Sequence, residues 1–421
     1  MANVRPFRAL YYNPRKVRHL ENVFVPPYDV ISEEERKQFF KKSPYNFARI
    51  ILGKTAKDGY ETVRKHFQAW QAQKILIEDP KEHFYFWEQK FSCHLTRVTR
   101  ARRTRGHWIS RKGIVAAVAL DDFYSGKIRP HEKTLEAPKA DRLEILKVCQ
   151  ANLSPVFMMY EDPHLTLEKE ILENCQKPLM VMRDSNGVWN KIWKIEKGSL
   201  SHRIQEVLAS KNLYIIDGHH RFATALRYQK EGSPSQKNNS QKFILSVITN
   251  MSDPALVIYP IYRALPKLSH FKKESYLKSL EKFFHVKKKK NFVSLKRGQW
   301  GIFFHRDPYF YELTCKNKAS VLSHLKGSRV VKELDVALLQ NVIIPQNTLP
   351  QLEYIKGGER ALKMVLKNLH RGKYEVVWLV CAPTVQQVKC VADHKEIMPP
   401  KSTFFYPKLL SGPLIRRLAA F

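Results

Sequence analysis

A chain of 421 residues, 43% hydrophobic and 11% aromatic, has too much to bury for a disordered polymer and too much for one ordinary core, so two or three domains are expected. Seventy-three Lys and Arg against 39 Asp and Glu leave a formal charge of +34, which draws polyanions, anionic lipids or phosphorylated small molecules without naming one. Six scattered cysteines, at 93, 149, 175, 315, 381 and 390, show no metal-ligand spacing, and no eighteen apolar residues run together. Zinc, a disulfide framework and a membrane span are therefore disfavoured, and a soluble cytoplasmic protein is expected.

Three sections are expected: 1–112, 113–250 and 251–421. The first opens on the strand-like VRPFRALYY and turns at PPYD. It continues in a charged helix after Ser32, which with Glu35 fits a capping box, and in an amphipathic helix around YETVRKHFQAWQAQ. FYFWEQKF alternates like a strand. The segment Arg97 to Lys112 follows, with seven Arg or Lys in sixteen residues and Trp108 among them. Guanidinium groups there can pair with nucleic-acid phosphates while the indole stacks on a base, or the segment is a solvated hairpin tip.

The second section begins with the apolar run GIVAAVALDDF, of the kind a buried strand shows. A polar loop IRPHEKTLEAPKADR, a helix over LEILKVCQ and a strand SPVFMMYE follow. Next come a helix before Gln176, a strand near Trp189 to Ile195, the helix IQEVLAS, the stretch YIIDGHHRFATAL and the strand FILSVITN. Strand and helix patterns alternate again in the third section. The tetralysine at 287–290 reads as a solvated turn, and the proline-rich tail MPPKSTFFYPKLLSGPL as packed coil. The mixture defines an α/β or α+β fold.

Tyr214 to Leu226 carries the strongest chemical signal. A strand running into Asp217, Gly218, His219, His220 and Arg221 and then a helix places the glycine where backbone can approach a ligand, with the first helical amides pointing at it. Arg221 can add a bidentate guanidinium to a phosphate held there. Asp217 either caps the helix, binds Mg²⁺ bridging to the phosphate, or takes a proton. The adjacent histidines point in different directions, so a zinc pair is not offered. A second cluster lies at Pro130 to Arg142, with Glu132 as candidate general base and Lys133, Lys139 and Arg142 as counter-charges. No P-loop, dinucleotide fingerprint, HExxH or GxSxG motif occurs.

The ordered runs RPFRAL, PPYDVIS, SPYNFARIIL, PHEKTLEAPKADRL, ANLSPVF, YIIDGHHRFATAL and MPPKSTFFYPKLLSG resemble a bacterial and archaeal family known as domain of unknown function 1015. The strand, DGHHR and helix are similar, more distantly, to the phosphate-binding turn of the ParB/sulfiredoxin superfamily, one branch of which phosphorylates free serine with a glutamate from an earlier loop as base. That resemblance implies a ParB/sulfiredoxin-like element in residues 113–250. It implies that Gly218, His219, His220 and Arg221 hold phosphate, with Asp217 at the reacting end or its Mg²⁺, Glu132 activating the acceptor hydroxyl, and His220 beside the chemistry. His131, Lys133, Asn152 and Ser154, within the shared runs, are then candidate substrate contacts. The function so implied is a phosphotransferase using Mg²⁺ with ATP or ADP on a small hydroxylated metabolite such as serine. The alternatives are a nucleotide-gated nucleic-acid-binding protein and a metabolite-binding protein without catalysis.

Overall fold

The computed structural model describes residues 2–418 apart from 57, 94–106, 123–125, 134–135, 197, 232–238, 268–270 and 293, and for 136–138 the backbone alone. The described residues form two compact units. One comprises 2–93, 107–256 and 407–418; the other comprises 257–406.

Nine strands of the first unit share one mixed sheet: β1 (Val4–Arg5), β2 (Phe84–Cys93), β3 (His107–Ala119), β4 (Ile128–Arg129), β5 (Val156–Tyr160), β6 (Met180–Arg183), β7 (Trp189–Ile195), β8 (Leu213–Asp217) and β9 (Phe243–Asn250). Their spatial order is β4-β8-β5-β9-β3-β2-β7-β6, with β1 on β3. β2 and β3 pair antiparallel from Tyr85↔Val115 to Cys93↔His107. The basic segment from Arg97 to Lys112 thus splits: residues 97–106 lie outside the described residues, and His107 to Lys112 are strand. The boundary expected at Lys112/Gly113 falls inside β3, because the apolar run GIVAAVA continues a strand begun six residues earlier.

The mixed α/β character follows from two periodicities. Phe84, Phe86, Ile114, Ala116, Val118, Val156, Met158, Ile215 and Ile244 alternate along their strands onto one buried face. Leu167, Ile171, Ile204, Leu208, Phe222 and Ala225 cover that face from helices, at spacings of three and four. The first helix, α1 (Glu33–Lys42), has the capping box expected of Ser32: Glu35 N donates to Ser32 Oγ at 3.2 Å and Ser32 N to Glu35 at 2.8 Å. Two further helices matter below, α2 (Glu136–Cys149) and α3 (His219–Glu231).

The second unit holds a six-stranded antiparallel sheet, ordered Phe284–Lys289, Phe310–Cys315, Gln299–Phe304, Tyr374–Val380, Ile261–Pro266 and Glu353–Lys356. Lys287 to Lys289 are strand rather than turn. Cross-strand pairing to Glu312 (Lys289 Nζ at 2.7 Å) and Lys288 above the Tyr309 ring at 3.9 Å compensate the charge there. Within the tail 398–414, Phe404–Tyr406 is strand, paired with Val257–Tyr259, and the rest packs without regular structure as expected. Residues 407–418 return to the first unit, where Ile415–Arg417 is inserted between Ala9–Tyr12 and Ala151–Asn152 in a small second sheet. All six cysteines are free thiols. No helix among the described residues is long and apolar enough to cross a membrane.

Candidate functional site

β8 delivers the site through an irregularity. Its pairing with β5 shifts between Ile215↔Met158 and Asp217↔Phe157, so one extra residue bends the strand end and turns Asp217 away from the ladder. Gly218 follows at φ +91°, and α3 opens with Phe222 N donating to Gly218 O at 3.0 Å. The first amides of such a helix have no partner inside it and carry its positive end. A Cβ on Gly218 would sit 2.9–3.0 Å from the Arg221 guanidinium. Gly218→Ala is therefore expected to cost about 1–2 kcal/mol in backbone strain and to push Arg221 aside. Urea unfolding checks it, the midpoint falling.

The three charges at this turn compensate one another. Arg221 Nη2 donates to Asp217 Oδ2 at 2.7 Å, its Nη1 donates to the Pro155 carbonyl, and Lys408 Nζ donates to the other Asp217 oxygen. Each side chain is less than a fifth exposed. Burial works to raise the Asp217 carboxyl, but Lys408 and then Arg221 overcome it and hold the group well below the usual carboxylate range. Arg221 is thus turned onto its own strand instead of forking toward a phosphate. The Asp217 expectation of a metal ligand does not fit either, since both its oxygens already face cations. Among the described residues no three His, Cys, Asp or Glu gather around a possible ion.

His131 and His219 lie beneath the turn. Their rings meet edge to face, with centroids 4.7 Å apart, and both are buried. His131 Nδ1 is 2.8 Å from Ile215 O, which accepts its proton. His219 Nε2 accepts from the His131 backbone N–H at 3.4 Å, so its proton sits on Nδ1, 3.9 Å from Glu132 Oε2. Burial first, and for His219 the neighbouring His131 next, keeps both rings neutral well into the acid range. These histidines therefore support the turn from inside, and neither is presented to a phosphate or a substrate as expected. Histidines that unfolding would let protonate contribute stability present above about pH 6.5 and lost as pH falls below it. Unfolding midpoints measured from pH 7.5 down to 5 should fall, and His131→Asn should flatten the slope. A pH-independent midpoint would contradict the neutral pair.

Three more of the expected residues meet Arg221 at a second place. Arg142, Asn152, Ser154 and Arg221 line one narrow pocket with Tyr28 and Thr224, walled by Ile51, Ile145, Leu146, Leu153 and Ile244. Arg142, on α2, donates through Nε to Asp141 at 2.9 Å and through Nη1 to Ile51 O at 3.0 Å, and lies 4.0 Å above the Tyr28 ring. Asn152 Oδ1 accepts from Leu245 N at 3.0 Å and from Arg416 at 3.2 Å, and Ser154 donates to Ser411 at 2.6 Å. Glu132 and Lys139 are not among the pocket's lining residues; Lys139 lies on α2, Lys133 is exposed, and His220 sits half-buried in the first turn of α3. The structure thus places Glu132 near His219, and Arg142 and Arg221 on one pocket.

Lys408 escaped the sequence reading, as did the residues that place it. Arg111, buried and stacked 4.5 Å over the Phe157 ring, donates to Pro407 O at 2.6 Å and to Gln89. Gln89 donates to Lys408 O at 3.3 Å and to Asn190 at 3.1 Å. The tail is held by its carbonyls while its ammonium reaches Asp217. The only sequence cue was the lysine within MPPKSTFFYPKLLSG, quoted there for resemblance and not for charge.

Bulged strand, glycine turn and helix start thus stand together in a mixed α/β chain. It belongs to the family described as protein of unknown function DUF1015, whose model matches residues 4–337. No curated protein matches it. Among solved structures it is similar to a free serine kinase in complex with AMP, at 15% identity and TM-score 0.35 over 68% of this chain and 88% of that one. It is also similar to a conserved hypothetical protein from Pyrococcus furiosus, at 15% identity and TM-score 0.34 over 69% and 92%. A third is SbnI with a C-terminal truncation from Staphylococcus aureus, at 9% identity and TM-score 0.36 over 71% and 87%.

Proposed function

We propose that the chain is a nucleotide-dependent phosphotransferase acting on a small hydroxylated metabolite, with free serine the first acceptor to test. The observation that supports it is the placement of Glu132, a partly exposed carboxylate, whose Oε2 lies 3.9 Å from Nδ1 of buried His219 at the start of α3. A partly exposed carboxylate close to the first amides of a helix suits hydroxyl activation next to a phosphate.

In this reading the nucleotide's terminal phosphate lies against the amides after Gly218, with Lys408 beside the same turn. The acceptor hydroxyl gives its proton to Glu132 as its oxygen attacks phosphorus, and the bond from phosphorus to the bridging oxygen of the leaving nucleotide breaks. Positioning and fixed charge provide the rate enhancement. Asp217 does not take the proton, because two cations hold it ionised and unreactive. Arg221 fixes the turn through Asp217 and Pro155 O, and the pocket of Arg142, Asn152 and Ser154 is the proposed seat for the rest of one substrate.

The test incubates the protein with ATP or with ADP, each labelled in its terminal phosphate, and a set of hydroxylated metabolites including serine. Transfer of label to an acceptor is the expected result. Nucleotide binding at the turn without any transfer would reduce the protein to a binding module.

A further inference from the structure

We propose that the outer face of the β6-β7-β2-β3 end of the first unit's sheet binds single-stranded nucleic acid, independently of the turn at Gly218. Pairing registers place Arg183, Trp189, Lys90 and Ser110 in one row across the four strands, Val181, Lys191, Glu88 and Lys112 in the next, and Ser92 beside Trp108 in a third. The residues between these rows, Met182, Asn190, Gln89 and Arg111, point to the opposite face and are buried. The face is therefore a continuous surface and not a set of scattered side chains.

Its composition is uncommon for a solvated sheet. Trp108 is 45% exposed, Trp189 40% and Val181 43%. Indoles left in water at this level, set among cations, mark a surface built for a partner. Arg183, Lys90, Lys191 and Lys112 face the single carboxylate of Glu88, which accepts from Ser110 Oγ at 2.6 Å. Arg183 lies 5.9 Å from the Trp189 ring centroid, a guanidinium already beside an aromatic face.

Charge complementarity selects the occupant. The two indoles stand on either side of β2, offset by two residues along it, which strand geometry converts to about 12 Å. That spacing lets each ring stack on a separate base while Lys90 between them meets an intervening phosphate and Lys191 and Lys112 extend the cationic track beyond Trp189. Alternating aromatic and cationic positions are what a flexible polyanion with exposed base faces requires. A duplex hides its base faces in its own stack, so the indoles add nothing there. An anionic bilayer calls for a contiguous apolar surface, and here the apolar residues are interleaved with charge.

The test is fluorescence anisotropy of the full chain with a labelled oligothymidylate of about 15 nucleotides, a length suited to such platforms, against the same strand in a duplex. The single strand should bind more tightly. Its affinity should fall steeply between about 50 and 200 mM salt. Trp108→Ala and Trp189→Ala should each weaken it by about tenfold, as base stacking implies, while melting curves stay unchanged. Lys90→Glu with Lys191→Glu should lower the salt slope. The proposal is overturned by absence of binding at low salt, by equal affinity for the duplex, or by a double tryptophan variant that binds like the parent. Tighter, tryptophan-dependent binding to phosphatidylserine vesicles overturns it too.

Discussion

Asp217→Asn is expected to lower the unfolding free energy by about 3–5 kcal/mol, the cost of leaving buried charge without its partner. The variant would strand Lys408 and Arg221 together, each less than a fifth exposed, around a neutral amide. Urea unfolding measures the loss, and a double variant with Lys408→Met should recover part of it because the two substitutions share one contact. The parent's acid response has a defined sign. With its carboxyl held below the ordinary value, Asp217 contributes stability that is complete above about pH 4 and is lost as pH falls further through the lowered value. An Asp217→Asn protein that melts like the parent would show that the ion pairs contribute nothing.

Glu132→Gln is expected to reduce phosphoryl transfer by about 10²–10⁴-fold, the contribution of a positioned general base. The amide keeps the shape and can still meet His219 but cannot take a proton. Nucleotide affinity and melting temperature should stay close to the parent's, because the side chain is partly exposed and the imidazole beside it is neutral. Unchanged turnover would move the base elsewhere and with it the proposed chemistry.

The parts of this site that were legible in the sequence are those written locally. A strand-like run into Asp217, a glycine able to take positive φ, and apolar spacing that switches to three and four after it make the turn readable. So does the shared loop that brings Glu132 near. The fate of Arg221 was also within reach: Asp217 and Arg221 stand four residues apart, the separation at which opposite charges meet across one helical turn. Lys408 was not. It lies 191 residues from Asp217, beyond the whole second unit, in a proline-flanked stretch with no periodicity to say where it packs. The burial of His131 and His219 was hidden for a related reason, since a histidine pair reads the same whether it faces a ligand or the underside of a strand. In the fold, the helices and strands from Val156 to Asn250 follow their patterns closely, whereas the division into units depends on which distant strands pair.

The return of residues 407–418 to the first unit carries a consequence for biogenesis. On a ribosome, β8 and the Gly218 turn emerge long before the lysine that neutralises Asp217, with the 150 residues 257–406 translated in between. At about 5–20 residues per second that interval lasts roughly 8–30 s. Throughout it the nascent first unit holds an acidic group short of one counter-ion and a small sheet lacking a strand between Ala9–Tyr12 and Ala151–Asn152. Chaperone dependence should therefore be greatest in that window, and a messenger with slowed codons across the second unit should yield more aggregate than one slowed before it.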